Sequence, residues 1–263
     1  MERSGSENSS GAATVAALFE SEGGRVHALA RRLCGDRDAD DLVQDTFLNA
    51  FRAIDQLKDL ANPRPWLYAI AHRACSRMRR RRAGEPQHLE EFDELLPHPG
   101  ATVPDFSGQK AGPEGDSLRT EARELVERGI SALPEAFRIP LLLADIAGLR
   151  LAEIAAILDL PEATVKTRVH RARLKLRAVL AQGLPQRQAG PASQAQEICL
   201  DLLRARLAAF DHGVDFSYSD ASMCERCQTV FATLALSASV CGALGRDSLP
   251  EGLRDRVLAT TRP

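Results

Sequence analysis

Aromatic residues are scarce in this chain: 9 Phe, 2 Tyr and 1 Trp make up 5% of 263 residues. Strands draw on aromatic and β-branched side chains, so the scarcity argues against an extensive sheet and for packed helices. The expected fold class is all-α. An excess of charge of one sign is also lacking, with 34 Lys and Arg against 36 Asp and Glu and a formal net charge of -2. That balance excludes a uniformly basic coat for nucleic acid, but it averages over distant segments, so local charge is the better guide. No stretch approaches the roughly 20 apolar residues of a membrane span, and MERSGSENSSGAATV lacks the basic start and apolar run of a signal peptide. A cytoplasmic protein with no membrane contact is expected. In that reducing compartment, six cysteines do not read as a disulfide framework, and clustered ones read as thiols or metal ligands.

Apolar residues recur at helical spacing from Ala13 to about Met78, with breaks near Gly35 and at Asn62-Pro63-Arg64-Pro65, which predicts a helical domain over 13–82. Over 83–116 the pattern dissolves into Pro, Gly and acids, among them Glu85, Glu90, Glu91, Asp93, Glu94 and Asp105, as in an acidic mobile linker. Periodicity returns over 117–182, stops in the Gln-, Gly- and Pro-bearing stretch that follows, and resumes in a third, smaller module over 195–263.

The second domain holds LRLAEIAAILDLPEATVKTRVHRARLKLRAVL, in which a short helix ends near Asp159, Leu160-Pro161 turns the chain, and a longer helix follows. This is helix-turn-helix spacing. On the longer helix Val165, Val169, Ala172, Leu176 and Val179 form one apolar stripe about 80° wide. Lys166, Arg168, Arg171, Arg173, Lys175 and Arg177 lie off it. A buried stripe with a basic remainder, led by Thr164 and Thr167, suits insertion into a major groove. The DNA-reading candidates are Thr164, Lys166, Thr167, Arg168, Arg171 and Arg173.

Two helices of the first domain narrow the function. DADDLVQDTFLNAFRAI sets Val43, Thr46, Phe47, Ala50 and Ile54 on one side, and Asp41, Gln44, Asp45, Leu48 and Arg52 on the other. A leucine exposed among acids marks a protein-binding face. RPWLYAIAHRACSRMRRRR opens with Pro65 at a helix start and packs Leu67, Ile70, Ala71, Ala74 and Met78 together. Its opposite face gathers His72, Arg73, Ser76, Arg79 and Arg80, with Trp66 and Tyr68 alongside, a set suited to phosphates and unstacked bases of a single strand.

In order and spacing these segments resemble the extracytoplasmic-function group of the sigma-70 family over nearly all of residues 13–182. The resemblance implies that Asp41, Gln44, Asp45 and Leu48 grip core RNA polymerase, that the arginine helix melts and reads the minus-ten promoter element, and that the helix-turn-helix reads the minus-thirty-five element. It further implies a linker threaded through the polymerase, no enzymatic activity, and a separate anti-sigma factor as a potential partner besides promoter DNA. Arg73 and Arg77 stand where the family often has Asn and Asp, so an unusual minus-ten specificity is expected; Ala163 stands where Gly is common.

The tail carries Cys199 on one helix and Cys224 and Cys227 as a C-x2-C pair on the next. Cys241, fourteen residues beyond Cys227, would sit about 21 Å away along a straight helix, out of reach of the same ion. Asp220, Cys224 and Cys227 at i, i+4 and i+7 share a face that Cys199 can join, giving a Cys3Asp set for zinc or another thiophilic metal. A metal-free helical pair with buried or redox-active thiols is the other reading. The tail is also similar to the zinc-binding domains of anti-sigma factors, with Asp220 in place of the histidine of their H-x3-C-x2-C motif, which implies a regulatory extension. Cys34 and Cys75 read as core cysteines. A stand-alone helix-turn-helix regulator would not need the first domain's two helices, and a C-x2-C thiol oxidoreductase would need a βαβ pattern that is missing here.

Overall fold

A computed structural model of the chain describes residues 5–78, 89, 102–106, 113–190, 194–216 and 223–260. It divides into two compact units, each assembled from separate stretches of sequence.

Unit 1 takes Met1–Ala83, Leu142–Pro161 and Gly242–Pro263. It opens with α1 (Gly5–Cys34) and α2 (Asp36–Arg52), and between them Gly35 adopts φ 93, a left-handed value that lets one helix follow another without a loop. After a 3-10 turn at Ile54–Gln56 comes α3 (Arg64–Met78), with Pro65 in its first turn, where no intrahelical N–H is missed. Phe19 and Phe47 meet edge to face with centroids 5.0 Å apart, and Leu29, Leu42, Leu67 and Tyr68 complete a dry core. Within it the buried Glu22 carboxylate accepts from the Tyr68 hydroxyl at 2.9 Å and pairs with Arg64 Nε at 2.9 Å, so its burial is compensated.

α6 (Leu151–Leu158) packs on α3, where Asn62 donates to Glu153 at 2.9 Å and Arg64 to the Ala147 carbonyl. α6 stops at Asp159, whose φ of 53 and ψ of 50 place it in the left-handed region that Asp tolerates. The last helix, α10 (Leu253–Thr260), packs against α2 and buries Leu253 and Val257 completely.

Unit 2 takes Gly84–Leu141 and Glu162–Cys241. Its frame is α4 (Pro113–Ala132) packed on α7 (Glu162–Gly183), so closely that a Cβ on Gly129 would stand 2.6 Å from Leu176. α8 (Gln196–His212) belongs to the same unit, while α5 (Glu135–Asp145) and α9 (Glu225–Leu244) have residues in both.

Among the described residues the all-α expectation holds, apart from one small two-stranded sheet. β1 (Thr102–Pro104) lies in the stretch expected to be a mobile linker and pairs antiparallel with β2 (Gln186–Gln188), in the register Thr102 with Gln188, Val103 with Arg187 and Pro104 with Gln186. Burial of Val103 gives the pairing an apolar anchor that composition alone conceals. One further expectation is corrected: α9 is by length and composition long and apolar enough to cross a membrane. Half of its most apolar stretch is buried within the protein, as in the core helix of a globular unit. Its buried Thr229 and Thr233 satisfy their hydroxyls on carbonyls one turn back, at 2.9 and 2.6 Å.

Candidate docking and DNA-reading surfaces and a thiol cluster

α2 is amphipathic in the sense the sequence predicts. Leu42, Val43, Thr46, Phe47 and Ala50 are buried, whereas Asp41 and Asp45 are exposed and Gln44 and Leu48 half-buried. Ile54, expected in the core, is only half-buried, because the helix ends at Arg52 and the 3-10 turn carries it aside. Next to the acidic flank, Asp40 accepts from Arg256 of α10 at 2.6 Å and meets His27 Nε2 at 3.2 Å. Burial lowers the His27 pKa, outweighing the pull of Asp40 in the opposite direction.

On α3, Leu67, Ile70, Ala71 and Ala74 are buried and Met78 half-buried, leaving Arg73 and Ser76 exposed and His72 half-buried on the other side. Arg79 and Arg80 lie outside the described residues. Tyr68 is a correction. Expected beside the arginines as a stacking platform, it is fully buried, and its hydroxyl is committed to Glu22. Burial and the neighbouring carboxylate raise its pKa well above the usual value. Trp66, half-buried, is the aromatic that retains an exposed part on this helix.

The two ends of α7 differ. Near its start Lys166 and Thr167 are exposed and Thr164 and Arg168 half-buried, so all four offer some surface to solvent. Farther along, the expected basic face turns inward. Arg171 donates to the Leu89 carbonyl at 3.0 Å and lies over the Phe137 ring at 5.0 Å. Arg173 is buried, donates to Asp211 of α8 at 2.8 Å and faces the Phe210 ring at 5.6 Å. Asp211 also takes His170 Nε2 at 2.7 Å, and its side chain is only 2% exposed. Burial alone would push its carboxyl pKa up, but the His170 hydrogen bond and the Arg173 charge prevail and hold it below the ordinary value. The apolar stripe therefore understated the buried surface of α7, which extends to Arg173, Leu174 and Leu180. The signal for this was an acid beside an aromatic, Phe210-Asp211, directly after the apolar run Leu207-Ala208-Ala209 at the end of α8.

In the tail, the thiols of Cys199, Cys224 and Cys227 all lie within 4.8 Å of one another. Cys199 is half-buried on α8, whereas Cys224 precedes α9 and Cys227 occupies its first turn, both buried. The start of α9 is pinned by Glu225, which accepts from the Gly190 amide at 2.7 Å and pairs with Arg187, and by Arg226, which donates to the Gly190 carbonyl at 3.1 Å. Burial opposes ionisation of Cys224, yet the Cys227 and Arg226 amides and the neighbouring thiols outweigh it and lower its pKa. Burial first, and then the Cys199 and Cys224 thiols, raise Cys227. Three soft donors at this spacing can hold a thiophilic ion with a fourth position to be filled. Asp220, expected as the fourth ligand, lies outside the described residues. Cys241 stands apart from the cluster, as helix length requires.

The family model for Sigma-70 region 2 matches residues 18–85, and that for Sigma-70, region 4 matches residues 123–176. Over 151 residues the chain is 32% identical to the ECF RNA polymerase sigma-E factors of Salmonella typhimurium and Escherichia coli, covering 57% of this chain and 77% of theirs. It is 33% identical over 165 residues to the ECF RNA polymerase sigma factor SigE of Mycolicibacterium smegmatis, covering 62% of this chain and 60% of that one. A solved structure described as CnrH in complex with the cytosolic domain of CnrY is similar at 26% identity and a TM-score of 0.41, covering 65% of this chain and 94% of that one.

Proposed function

Since the chain belongs to the ECF group of sigma-70 RNA polymerase sigma factors, we propose that it docks on core RNA polymerase through Asp41, Gln44, Asp45 and Leu48 of α2. In this reading the stretch 13–82 forms the docking and minus-ten domain, in which His72, Arg73 and Ser76, with Arg79 and Arg80, meet the minus-ten element. The stretch 117–182 reads the minus-thirty-five element through Thr164, Lys166, Thr167 and Arg168 at the exposed start of α7. The role is regulatory and not catalytic, and it is exercised in the cytoplasm. The observation that carries the docking assignment is the division of α2 into a dry apolar side and an acidic flank around a partly exposed leucine.

The tail, 195–263, is a built-in regulator in this reading. What supports it is where its helices lie. α8 packs its Asp211 onto Arg173 and His170 of α7, and α10 packs onto α2 beside the acidic flank. Cys199, Cys224 and Cys227, with Asp220 or another donor, hold zinc or a similar thiophilic ion that ties α8 to α9. Because such ligands bind deprotonated and correctly placed, binding is coupled to the order of the tail. A separate anti-sigma protein would compete for the same helices.

The test is transcription in vitro with purified core enzyme and a promoter pool. It compares the full chain, a truncation after Ala195, a Cys224→Ser, Cys227→Ser double variant, and Asp45→Lys combined with Leu48→Ala. The last variant is expected to lose core binding while retaining helix content. The truncation and the cysteine variant are expected to transcribe more than the full chain, which carries stoichiometric metal. Equal core binding by the docking variant would overturn the α2 assignment. Equal transcription by the other three forms would overturn the regulatory one.

A further inference from the structure

We propose that Cys34 and Cys75, in the first unit, form a reversible intrachain disulfide when the chain meets a peroxide. The Sγ atoms lie 3.0 Å apart, although 41 positions separate the residues in sequence. That is inside the roughly 3.5–4.0 Å of ordinary non-bonded contacts and about 1 Å beyond a disulfide bond. The two thiols are therefore already opposed across the packed helices α1 and α3. Composition could not reveal this, since each cysteine taken alone reads as a small core residue.

The two partners differ in a way that orders the chemistry. Cys34 is half-buried and is the last residue of α1, directly before the Gly35 turn, so a small oxidant can reach it and the backbone there can adjust. Cys75 is 1% exposed on the inner face of α3, flanked by buried Ala71 and Ala74. In the first step the Cys34 thiolate attacks one peroxide oxygen. An S–O bond forms, the O–O bond breaks, and water leaves after protonation when the oxidant is hydrogen peroxide. In the second, the Cys75 sulfur attacks the Cys34 sulfenic acid, forming the S–S bond, breaking the S–O bond and releasing a second water. Two thiols have then lost two electrons and two protons, and one peroxide has become two waters. A dithiol reverses the change by thiol–disulfide exchange.

The closed loop contains all of α2 and most of α3, through Ala74. Resting on the function proposed above, the crosslink ties the end of α1 to the helix that meets the minus-ten element and so couples promoter opening to oxidation. A transient bond of this kind is the type compatible with a reducing cytoplasm.

The experiment treats the full chain with hydrogen peroxide, blocks remaining thiols by alkylation and maps peptides by mass spectrometry without reduction. A parallel sample carries Ser at Cys199, Cys224, Cys227 and Cys241, with helix content checked by circular dichroism. The expected result is a Cys34–Cys75 linked peptide lighter by two hydrogens, abolished by dithiothreitol. In Cys75→Ser, Cys34 should proceed instead to sulfinic acid. Recovery of both peptides alkylated, separate oxidation of each, or linkage of Cys34 to a tail cysteine would overturn the site. Should the four-serine sample misfold, the full chain reads the same linked peptide. Transcription by oxidised and reduced forms of the four-serine protein, which lacks the tail thiols, is then compared: a difference reversed by dithiothreitol is expected, and equal rates from a fully linked sample would overturn the coupling. No transcription by the reduced four-serine protein would instead count against the proposed function, with the peptide readout unaffected.

Discussion

Tail helices lie on a candidate functional helix in each of the two units, but they are held there by different physics. In unit 2, α8 is held on α7 by a buried charge cluster in which Asp211, 2% exposed, joins Arg173 and His170 at 9% and 14%. In unit 1, α10 is held on α2 by the fully buried Leu253 and Val257, rimmed by ion pairs whose arginines, Arg254 and Arg256, are 57% and 47% exposed. Exposed pairs are screened and contribute little, so the α10 contact rests on apolar area. A buried pair costs desolvation when it forms and far more when half of it is removed, so the α8 contact rests on one matched geometry. The first contact tolerates variation at its rim; the second does not.

The sharpest way to break this comparison is Asp211→Ala, which strands the buried Arg173 guanidinium and should cost about 3–5 kcal/mol in denaturant unfolding. The pH dependence has a definite sign. The folded pKa of Asp211 is depressed, so its contribution is fully present above the unfolded value of roughly 3.9 and is lost as pH falls through the lower folded value. Wild type should shed this increment in an acid titration, and Asp211→Ala should not show it. A difference between the two that stays flat below the unfolded value of roughly 3.9 would refute the ion-pair account.

Leu253→Ala comes next. Truncating a fully buried leucine costs about 2–5 kcal/mol, and the loss should appear as faster amide exchange along α10 while α8 remains protected. Joint loss of protection in both helices would show that the tail opens as one piece.

A smaller effect separates the two ends of α7. Arg168→Ala is expected to weaken promoter binding by about 1–3 kcal/mol if the side chain reads a base, with unfolding unchanged. Arg173→Ala should lower stability instead, since its guanidinium is already engaged by Asp211. Footprinting beside denaturant titration reads both, and promoter loss from Arg173→Ala at wild-type stability would reverse the assignment.

The smallest effect is expected from Arg256→Ala, about 0.2–1 kcal/mol, shrinking further at high salt because the pair with Asp40 is exposed. A larger, salt-independent loss would mean that charge, and not Leu253 and Val257, holds α10.

The candidate functional elements were legible because each depends on local pattern. The apolar side of α2, the Gly35 break, the Pro65 start and the Leu160-Pro161 turn all reappear where periodicity and turn chemistry put them. The thiol cluster of Cys199, Cys224 and Cys227 was legible for a related reason: a C-x2-C pair and helix rise constrain which sulfurs can meet. Tyr68 was misplaced because an aromatic near arginines looks alike whether it faces solvent or a buried Glu22. The helix α9 was expected, but its apolar length escaped notice because Thr, Ser and Cys interrupt the run without making it polar enough to be exposed.

By itself, then, the sequence determined the helical class, the breaks at Gly35 and before Pro65, and the apolar sides of α2 and α3, since these follow from propensities and periods spanning a few residues. Only the tertiary structure decided which charges are spent inside the protein. Arg171 and Arg173 read as basic surface until Phe137, Leu89 and Asp211 are brought to them from other parts of the chain. Cys34 and Cys75 read as unrelated until α1 and α3 oppose their sulfurs. Pairings of this kind join residues tens of positions apart, and no local period encodes them, because the partner arrives only when the chain has packed.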